Sequence, residues 1–289
     1  MITRTTQSGF TSLMTYNIQK LSSQLQDVTL QASSGVRIGA PSTAPEDQGM
    51  LVRLRAALND QQAWQDNSEA GMSVMGAVDD ALSAANNTLD RALELVVQGA
   101  SETYNADDRA SMAEELQTLR DQMLDIANTD FAGRFVFAGT AYDEPAFDAD
   151  GNYQGSSDVP TIRVGEDRYE DAGFDGSVVF SSALSVLDDI EAALLSNDTD
   201  ALANLTAETS DALGEVSLSR QRAGRGFNRF DDARALSESM EAAVSTRISE
   251  FAGIDETEVY TRLSELQTAY QAALQITSAG MEVSMFDFI

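Results

Sequence analysis

Apolar residues recur in a seven-residue pattern along most of this 289-residue chain. In the first segment their spacing alternates between four and three positions, which is typical of the narrow contact seam of a coiled coil. The same spacing returns in later stretches, and no proline interrupts residues 46–99. The pattern predicts long helices that pack side by side. The first seam consists of Met14, Ile18, Leu21, Leu25, Val28 and Ala32.

The residue types that are missing exclude most kinds of catalytic site. The chain has no histidine, no cysteine and one lysine, Lys20. Zinc sites of the usual kind, thiol nucleophiles, histidine triads and disulfides are therefore excluded. We predict a protein that is not an enzyme, with no catalytic residue, no cofactor and no metal site. A hydrolase that uses carboxylates remains a remote alternative, and no particular carboxylate is nominated for it.

The net charge of −29 argues against a nucleic-acid partner, because such a chain is repelled by a phosphate backbone. Arg222, Arg225 and Arg229 fall on one helical face, but three positive charges are few beside the net charge of −29. We interpret these arginines as ion-pair partners, either within the helical domain or with a neighbouring subunit. No apolar run reaches the ~20 residues of a membrane span, so no membrane association is predicted.

Residues 132–181 lack the helical period and favour a small β-rich domain. Aromatic and β-branched runs at Phe135–Phe137, Thr161–Val164 and Ser177–Phe180 alternate with glycine-rich turns, which predicts short strands. Asp148–Asn152 partly resembles a calcium loop, but the closing glutamate of the twelve-residue pattern is absent. We therefore predict a polar hairpin turn there.

The two chain ends carry complementary signals. Residues 1–40 hold three basic side chains against one acidic, whereas residues 255–289 hold one basic against six acidic. Both ends also carry apolar seams, which short isolated helices cannot bury alone. The ends are expected to pair with each other, with copies in an assembly, or both. The second seam comprises Val259, Leu263, Leu266 and Tyr270, with Phe286 and Phe288 at the apolar C-terminus.

These patterns predict a mainly α fold with a small β-rich insertion. We expect an elongated rod of long helical hairpins with terminal coiled-coil segments and an outer β domain. The predicted domains are a terminal helical assembly domain (residues 1–38 with 255–289), a central helical bundle (39–131 with 182–254) and the β-rich outer domain (132–181).

Several short motifs occur in the order found in one known family. Ser33–Ile38 is similar to the S-S-G-x-R-I segment after the family's first helix, and Gly133–Thr140 to its G-R-[YF]-[IV]-F-[AG]-G stretch. The ending Ser284–Ile289 is similar to S-L-F-x-Y-I. The chain therefore resembles the flagellin superfamily, and within it the hook–filament junction proteins. The motif residues are Ser34, Gly35, Arg37, Gly133, Arg134, Gly139, Arg220, Gly224, Asn228 and Arg229.

The resemblance implies a structural adaptor of the bacterial flagellum that joins hook to filament and templates flagellin assembly. It implies secretion through the flagellar type III export apparatus with a cytoplasmic export chaperone, and a final location at the hook–filament junction. The implied partners are copies of the chain in a ring, the hook-side junction protein (hook-associated protein 1) and flagellin. The alternative within the same family is a short flagellin that forms the filament itself.

Overall fold

Six helices and four very short strands make up the secondary structure of the computed structural model, which describes residues 2–37 and 45–286. None of the described helices has a stretch apolar enough to cross a membrane. The predicted mainly α fold is confirmed. The helices are α1 (Ile2–Ser34), α2 (Pro45–Gly99), α3 (Ala106–Ala127), α4 (Gly176–Ser196), α5 (Thr199–Ala252) and α6 (Glu256–Phe286), and the strands are β1 (Asp130–Phe131), β2 (Arg134–Phe135), β3 (Thr161–Arg163) and β4 (Tyr169–Asp171).

The chain divides into two compact units. One comprises the described residues up to Asn59 and from Ala242 onward, and the other comprises Asp60–Glu241. The first unit contains α1 and α6, which contact each other. The second contains α3, α4 and all four strands. The helices α2 and α5 contribute residues to both units.

The core of the unit 60–241 is built from the residues that carry the seven-residue spacing. Burying these side chains removes apolar surface from water at about 25 cal/mol per Å², which is the main favourable contribution to folding. Buried phenylalanine, leucine and isoleucine side chains of α4 complete this core from a helix with a strongly apolar face. The buried spaced residues include Val78, Leu82, Ala85, Leu89, Ala92 and Val96 of α2, and Met112, Leu116, Leu119 and Met123 of α3.

Within the unit 60–241, α2 and α5 run antiparallel, because residues later in α2 contact residues earlier in α5. The Gln65 amide donates to the Glu241 carboxylate at 2.7 Å, and Arg220 donates to Asp79 at 2.8 Å. The hydrogen bond from Gln65, followed by one from Gln62, lowers the pKa of the Glu241 carboxyl. These polar contacts lie on either side of an apolar stretch in which Gly71 faces Phe230 and Gly226 faces Met75.

Gly71 and Gly76 give a pair of substitutions with opposite expected signs. A Cβ at Gly71 would overlap the fully buried ring of Phe230, whereas a Cβ at Gly76 would meet no atom within 4 Å. We expect Gly71→Ala to destabilise this unit by about 1–3 kcal/mol through overpacking. Gly76→Ala should stabilise it by about 0.5–1 kcal/mol, because alanine restricts the unfolded helix segment.

Urea unfolding followed by the fluorescence of Trp64 measures both effects, because Trp64 is the single tryptophan and lies in this unit. Equal unfolding midpoints for Gly71→Ala and the unsubstituted chain would show that the ring of Phe230 is free to move aside.

The segment between α3 and α4 consists mostly of turns held by two short hairpins. The turn between β1 and β2 contains Ala132 and Gly133, which both have positive φ, at 55° and 78°. Two-residue hairpin turns of this kind match the twist of the strands they join. The strands β3 and β4 pair antiparallel, with Ile162 opposite Glu170.

An aromatic cluster joins this segment to α4. The rings of Phe137 and Phe180 meet edge to face with centroids 4.8 Å apart, and Phe147 lies 6.1 Å from Phe180. The Tyr153 hydroxyl donates to the Ser156 carbonyl at 2.9 Å. Burial raises the pKa of Tyr153 to about 12. The cluster packs a segment with few strand hydrogen bonds against α4.

The prediction of a strand at Ser177–Phe180 is wrong, since these residues form the first turn of α4. Asp175 caps this helix by accepting a hydrogen bond from the Ser177 amide at 2.9 Å. Val179 and Phe180 then begin a helical apolar face. A short apolar run alone does not distinguish a strand from a buried helix start.

Candidate assembly surface of the terminal helices

The helices α1 and α6 contact each other, and their partly buried side chains include the apolar residues that the spacing predicts. From Glu256 to Ser278, the side chains of α6 that are not exposed all follow the four-three spacing. In α1 the predicted seam residues are half-buried, and Val28 is buried. Two helices cannot enclose a seam completely, so most of its side chains stay partly open. These half-buried or buried seam residues are Met14, Ile18, Leu21, Leu25 and Val28 in α1, and Val259, Leu263, Leu266 and Tyr270 in α6.

A second set of large apolar side chains points away from this seam. Leu13, Tyr16 and Leu30 lie on the face of α1 opposite the seam and are 56%, 63% and 65% exposed. On α6, Tyr260 and Ile276 flank the seam and are 56% and 55% exposed. We call these five residues the outer apolar face. They are a candidate contact surface for another chain.

The charge difference between the two ends is not expressed as ion pairs. Among the described side chains, no ion pair joins α1 to α6. Their contact therefore rests on the apolar seam. The opposite net charges of the two helices contribute at most a weak, salt-screened attraction.

The motif residues Ser34, Gly35 and Arg37 end α1 and attach it to the end of α5. Gly35 has φ of +68° and its amide donates to the Gln31 carbonyl at 2.9 Å, which is a glycine stop of the usual kind. The Arg37 amide donates to the Ala252 carbonyl at 2.7 Å, and its guanidinium donates to the carbonyl of Phe251 at 3.0 Å. The motif therefore turns the chain and satisfies free carbonyls at the end of α5.

The motif residues Gly133, Arg134 and Gly139 shape the entry to the turn-rich segment. Gly133 supplies the positive φ of the first hairpin, and the Arg134 guanidinium lies 4.6 Å from the centre of the Tyr142 ring. Gly139 has φ of +60°, and a Cβ there would overlap the Ser156 carbonyl. Only glycine fits this position.

The motif residues of α5 have different surroundings. Arg220 pairs with Asp79 at 2.8 Å. Of the three arginines interpreted as ion-pair partners, Arg229 pairs with Glu170 at 3.1 Å, whereas Arg222 and Arg225 form no ion pair with any described residue. A Cβ at Gly224 would meet no atom within 4 Å, so nothing among the described residues requires glycine there. Asn228 lines a cleft beside the turn-rich segment.

Sequence patterns miss one residue that the fold depends on. Arg109 is 3% exposed, and its guanidinium donates to the carbonyls of Gly99 at 2.7 Å and Ser101 at 2.9 Å and to the side chain of Asn197. It therefore satisfies the end of α2 and the turn between α4 and α5. The sequence does contain one signal for this residue. Arg109 lies three residues before Met112, so it continues the apolar spacing of α3 toward the N-terminus.

The Asp148–Asn152 turn is confirmed as a hairpin turn. Asp148 accepts hydrogen bonds from the amides of Asn152 at 2.8 Å and Asp150 at 3.0 Å, and from the side chain of Gln154. The hydrogen bond from the Asn152 amide, the largest of these effects, lowers the pKa of Asp148. In residues 2–37 and 45–286, no group of three or more acidic side chains is arranged to hold a metal ion.

Three sequence predictions lie outside the described residues. These are the side chain of Phe286, the residue Phe288 and the domain boundary at residues 38 and 39. The role of the remaining seam residues in assembly, and the division into three domains, stay predictions.

Known proteins resemble this chain over most of its length. Residues 8–142 match the family described as the bacterial flagellin N-terminal helical region. A flagellar hook-associated protein 3 of Escherichia coli is 25% identical over 285 residues, which cover 89% of this chain and 90% of that protein. A second flagellar hook-associated protein 3, from Salmonella typhimurium, is 33% identical over 163 residues, or 54% of this chain. That match spans half the length of the Salmonella protein.

The fold is shared with a solved structure. A crystal structure of Bacillus cereus FlgL superposes with a TM-score of 0.61 at 20% identity, and the match covers 68% of this chain and 99% of that one. Flagellins also match this chain, more weakly. Over these lengths the chain is similar to proteins of the flagellin superfamily, among them the relatives named flagellar hook-associated protein 3.

Proposed function

We propose that this chain is a structural adaptor of the bacterial flagellum, exported from the cell, that joins hook to filament and templates the assembly of flagellin. The observation that carries this proposal is the likeness to a flagellar hook-associated protein 3 along 89% of the chain. The relatives are structural proteins of the flagellum, and we infer that this chain likewise acts by assembly and not by catalysis.

The terminal helices supply the physical support for an assembling role. Their shared seam is only half-buried, and the outer apolar face around Tyr16 and Leu30 is open to solvent. Packing against further helices would bury both, at about 25 cal/mol per Å² of apolar surface. We propose that residues 1–38 with 255–289 form the assembly domain, whose copies in a ring bury these surfaces in one another.

The proposed partners follow from this position in the flagellum. They are copies of the chain, the hook-side junction protein on one side and flagellin on the other. Before assembly, the partners are a cytoplasmic export chaperone and the flagellar type III export apparatus. An apolar terminal surface that is buried only after assembly needs such protection from aggregation.

Deletion of the gene in the bacterium that carries it tests the proposal. We expect cells with hooks but no filaments, and flagellin accumulating in the medium because it is exported without a template. A plasmid copy of the gene should restore filaments and motility. Filaments of normal length on the deletion strain would contradict the adaptor role.

The second candidate is a short flagellin, which the match of residues 8–142 to the flagellin N-terminal region favours. Under this alternative, the deletion removes the main filament protein itself, so the medium contains no excess flagellin. The composition of the medium therefore separates the two candidates even though both predict bare hooks.

A further inference from the structure

One face of α5 carries a row of exposed basic and apolar side chains. Leu218, Arg222, Arg225, Arg229 and Leu236 are all exposed and follow one another at steps of four, three, four and seven residues. This spacing puts them on one side of the helix, in the pattern that a partner helix recognises. One acidic residue, Asp232, lies on the same side.

The arginines of this face line a cleft of about 590 Å³ between α5 and the turn-rich segment. Arg229 forms an ion pair with Glu170 inside the chain. In the described part of the chain, neither Arg222 nor Arg225 forms an ion pair. Both guanidinium groups are therefore available to a carboxylate-bearing partner.

The same chain carries a matching acidic face on α3. Its residues are all exposed and follow the spacing four, three, four, three, four. Among the described side chains, the acids of this face form no ion pair. Two residues of this face, Ser111 and Thr118, have short side chains whose hydroxyl groups donate to backbone carbonyls of the same helix. They separate the acidic side chains along the face. The acidic face consists of Asp107, Ser111, Glu114, Thr118, Asp121 and Asp125.

We propose that the arginine face of α5 in one copy binds the acidic face of α3 in a second copy. The two faces have opposite charge and the same helical spacing, and the gaps at Ser111 and Thr118 leave room for arginine side chains. Leu218 and Leu236 would cover the two ends of the contact. Charge pairs across an interface set the orientation and the choice of partner. The contact would therefore fix the register of neighbouring copies.

The contact joins two different surfaces, so each copy still presents a free acidic face and a free arginine face to its neighbours. Repetition of such a contact produces a ring or a helical array instead of a closed pair. The inference deepens the proposed function, on which it rests, by naming the side-by-side contact between copies.

Thiol cross-linking in the full chain tests the contact without background, because the chain contains no cysteine. Two single variants, Leu218→Cys and Thr118→Cys, introduce one thiol on each face without changing any charge. We expect a long bismaleimide reagent, which spans the offset between the end and the middle of the contact, to give linked dimers from the mixed variants, identified by mass spectrometry of the joined peptides. Each variant alone should give few linked dimers. Equal yields from the single variants and the mixture would overturn the proposal.

Charge reversal shows whether the arginines hold the contact. Adding Arg225→Glu to Leu218→Cys should lower the yield of mixed dimers about tenfold, and Asp121→Arg on the Thr118→Cys partner should restore it. Arg247→Glu is the matched control, since it makes the same charge change at an exposed arginine elsewhere on α5 and should leave the yield unchanged. An unchanged yield with Arg225→Glu would contradict the proposal.

The two proposals fail separately. If the mixed variants do not cross-link while the gene still restores filaments to the deletion strain, the α3–α5 contact is wrong and the adaptor role stands. If the variants cross-link but the deletion strain keeps its filaments, the contact is correct and the adaptor role is wrong.

Discussion

Replacing Arg109 by alanine should lower the free energy of unfolding of the unit 60–241 by about 3–5 kcal/mol. The substitution removes three donors from a site that is 3% exposed, leaves the carbonyl of the buried Gly99 without its side-chain partner, and leaves the Ser101 carbonyl with only the Tyr104 amide. Hydrogen bonds from a charged group to such acceptors are about twice as strong as neutral ones. The side chain of Asn197 loses its partner as well.

The measurement is urea unfolding followed by the fluorescence of Trp64. Arg109→Lys should lose a large part of the same stability, because a single ammonium group cannot reach acceptors in three directions. Arg91→Ala is the control, since that arginine bridges Glu94 and Glu115 at an exposed site and its removal should change the midpoint little. Equal midpoints for Arg109→Ala and Arg91→Ala would show that water replaces the lost hydrogen bonds.

Replacing Leu25 by aspartate should prevent incorporation into the flagellum while the chain stays folded and soluble. Leu25 is half-buried in the α1–α6 contact, where full burial of a leucine contributes about 1.5–3 kcal/mol. A carboxylate cannot enter an apolar seam without losing its hydration. Each copy in an assembly would carry this substitution, so the loss of apolar burial is repeated at every copy around a ring.

Electron microscopy of the deletion strain that expresses the variant gives the result directly. We expect the fraction of cells with filaments to match that of the deletion strain, and the Trp64 unfolding midpoint to be unchanged. Gln26→Asp is the matched control, because it makes the same charge change at the exposed next position and should support normal filaments. Normal filaments with Leu25→Asp would refute the role of the seam.

The spacing of apolar residues is sufficient to predict the helices and their buried faces, because this period is a local property of the chain. Two stretches show this, because their spaced apolar residues are the ones that are buried or half-buried: Val78 to Val96 in α2 and Val259 to Tyr270 in α6. The N-terminal cap of α3 is equally local, as Asn105 accepts from the amide of Asp107.

Features that depend on distant parts of the chain are beyond sequence patterns. The register of α2 against α5 depends on small residues opposite large ones, as where Gly226 faces Met75 and Gly71 faces Phe230. The helix start at Ser177 resembles a strand in sequence because its apolar run is short. The role of Arg109 emerges only when Asn197 is brought next to it by the fold.

The proposed position at the hook–filament junction is tested most directly by locating the chain on the intact flagellum. Asp167→Cys introduces the only thiol of the chain at an exposed turn between β3 and β4, where gold particles can be attached. In the complemented deletion strain, we expect electron micrographs with gold in one band between hook and filament, and none with the unsubstituted chain. Gold along the whole filament would instead identify a flagellin, and a flagellum without gold would contradict the account.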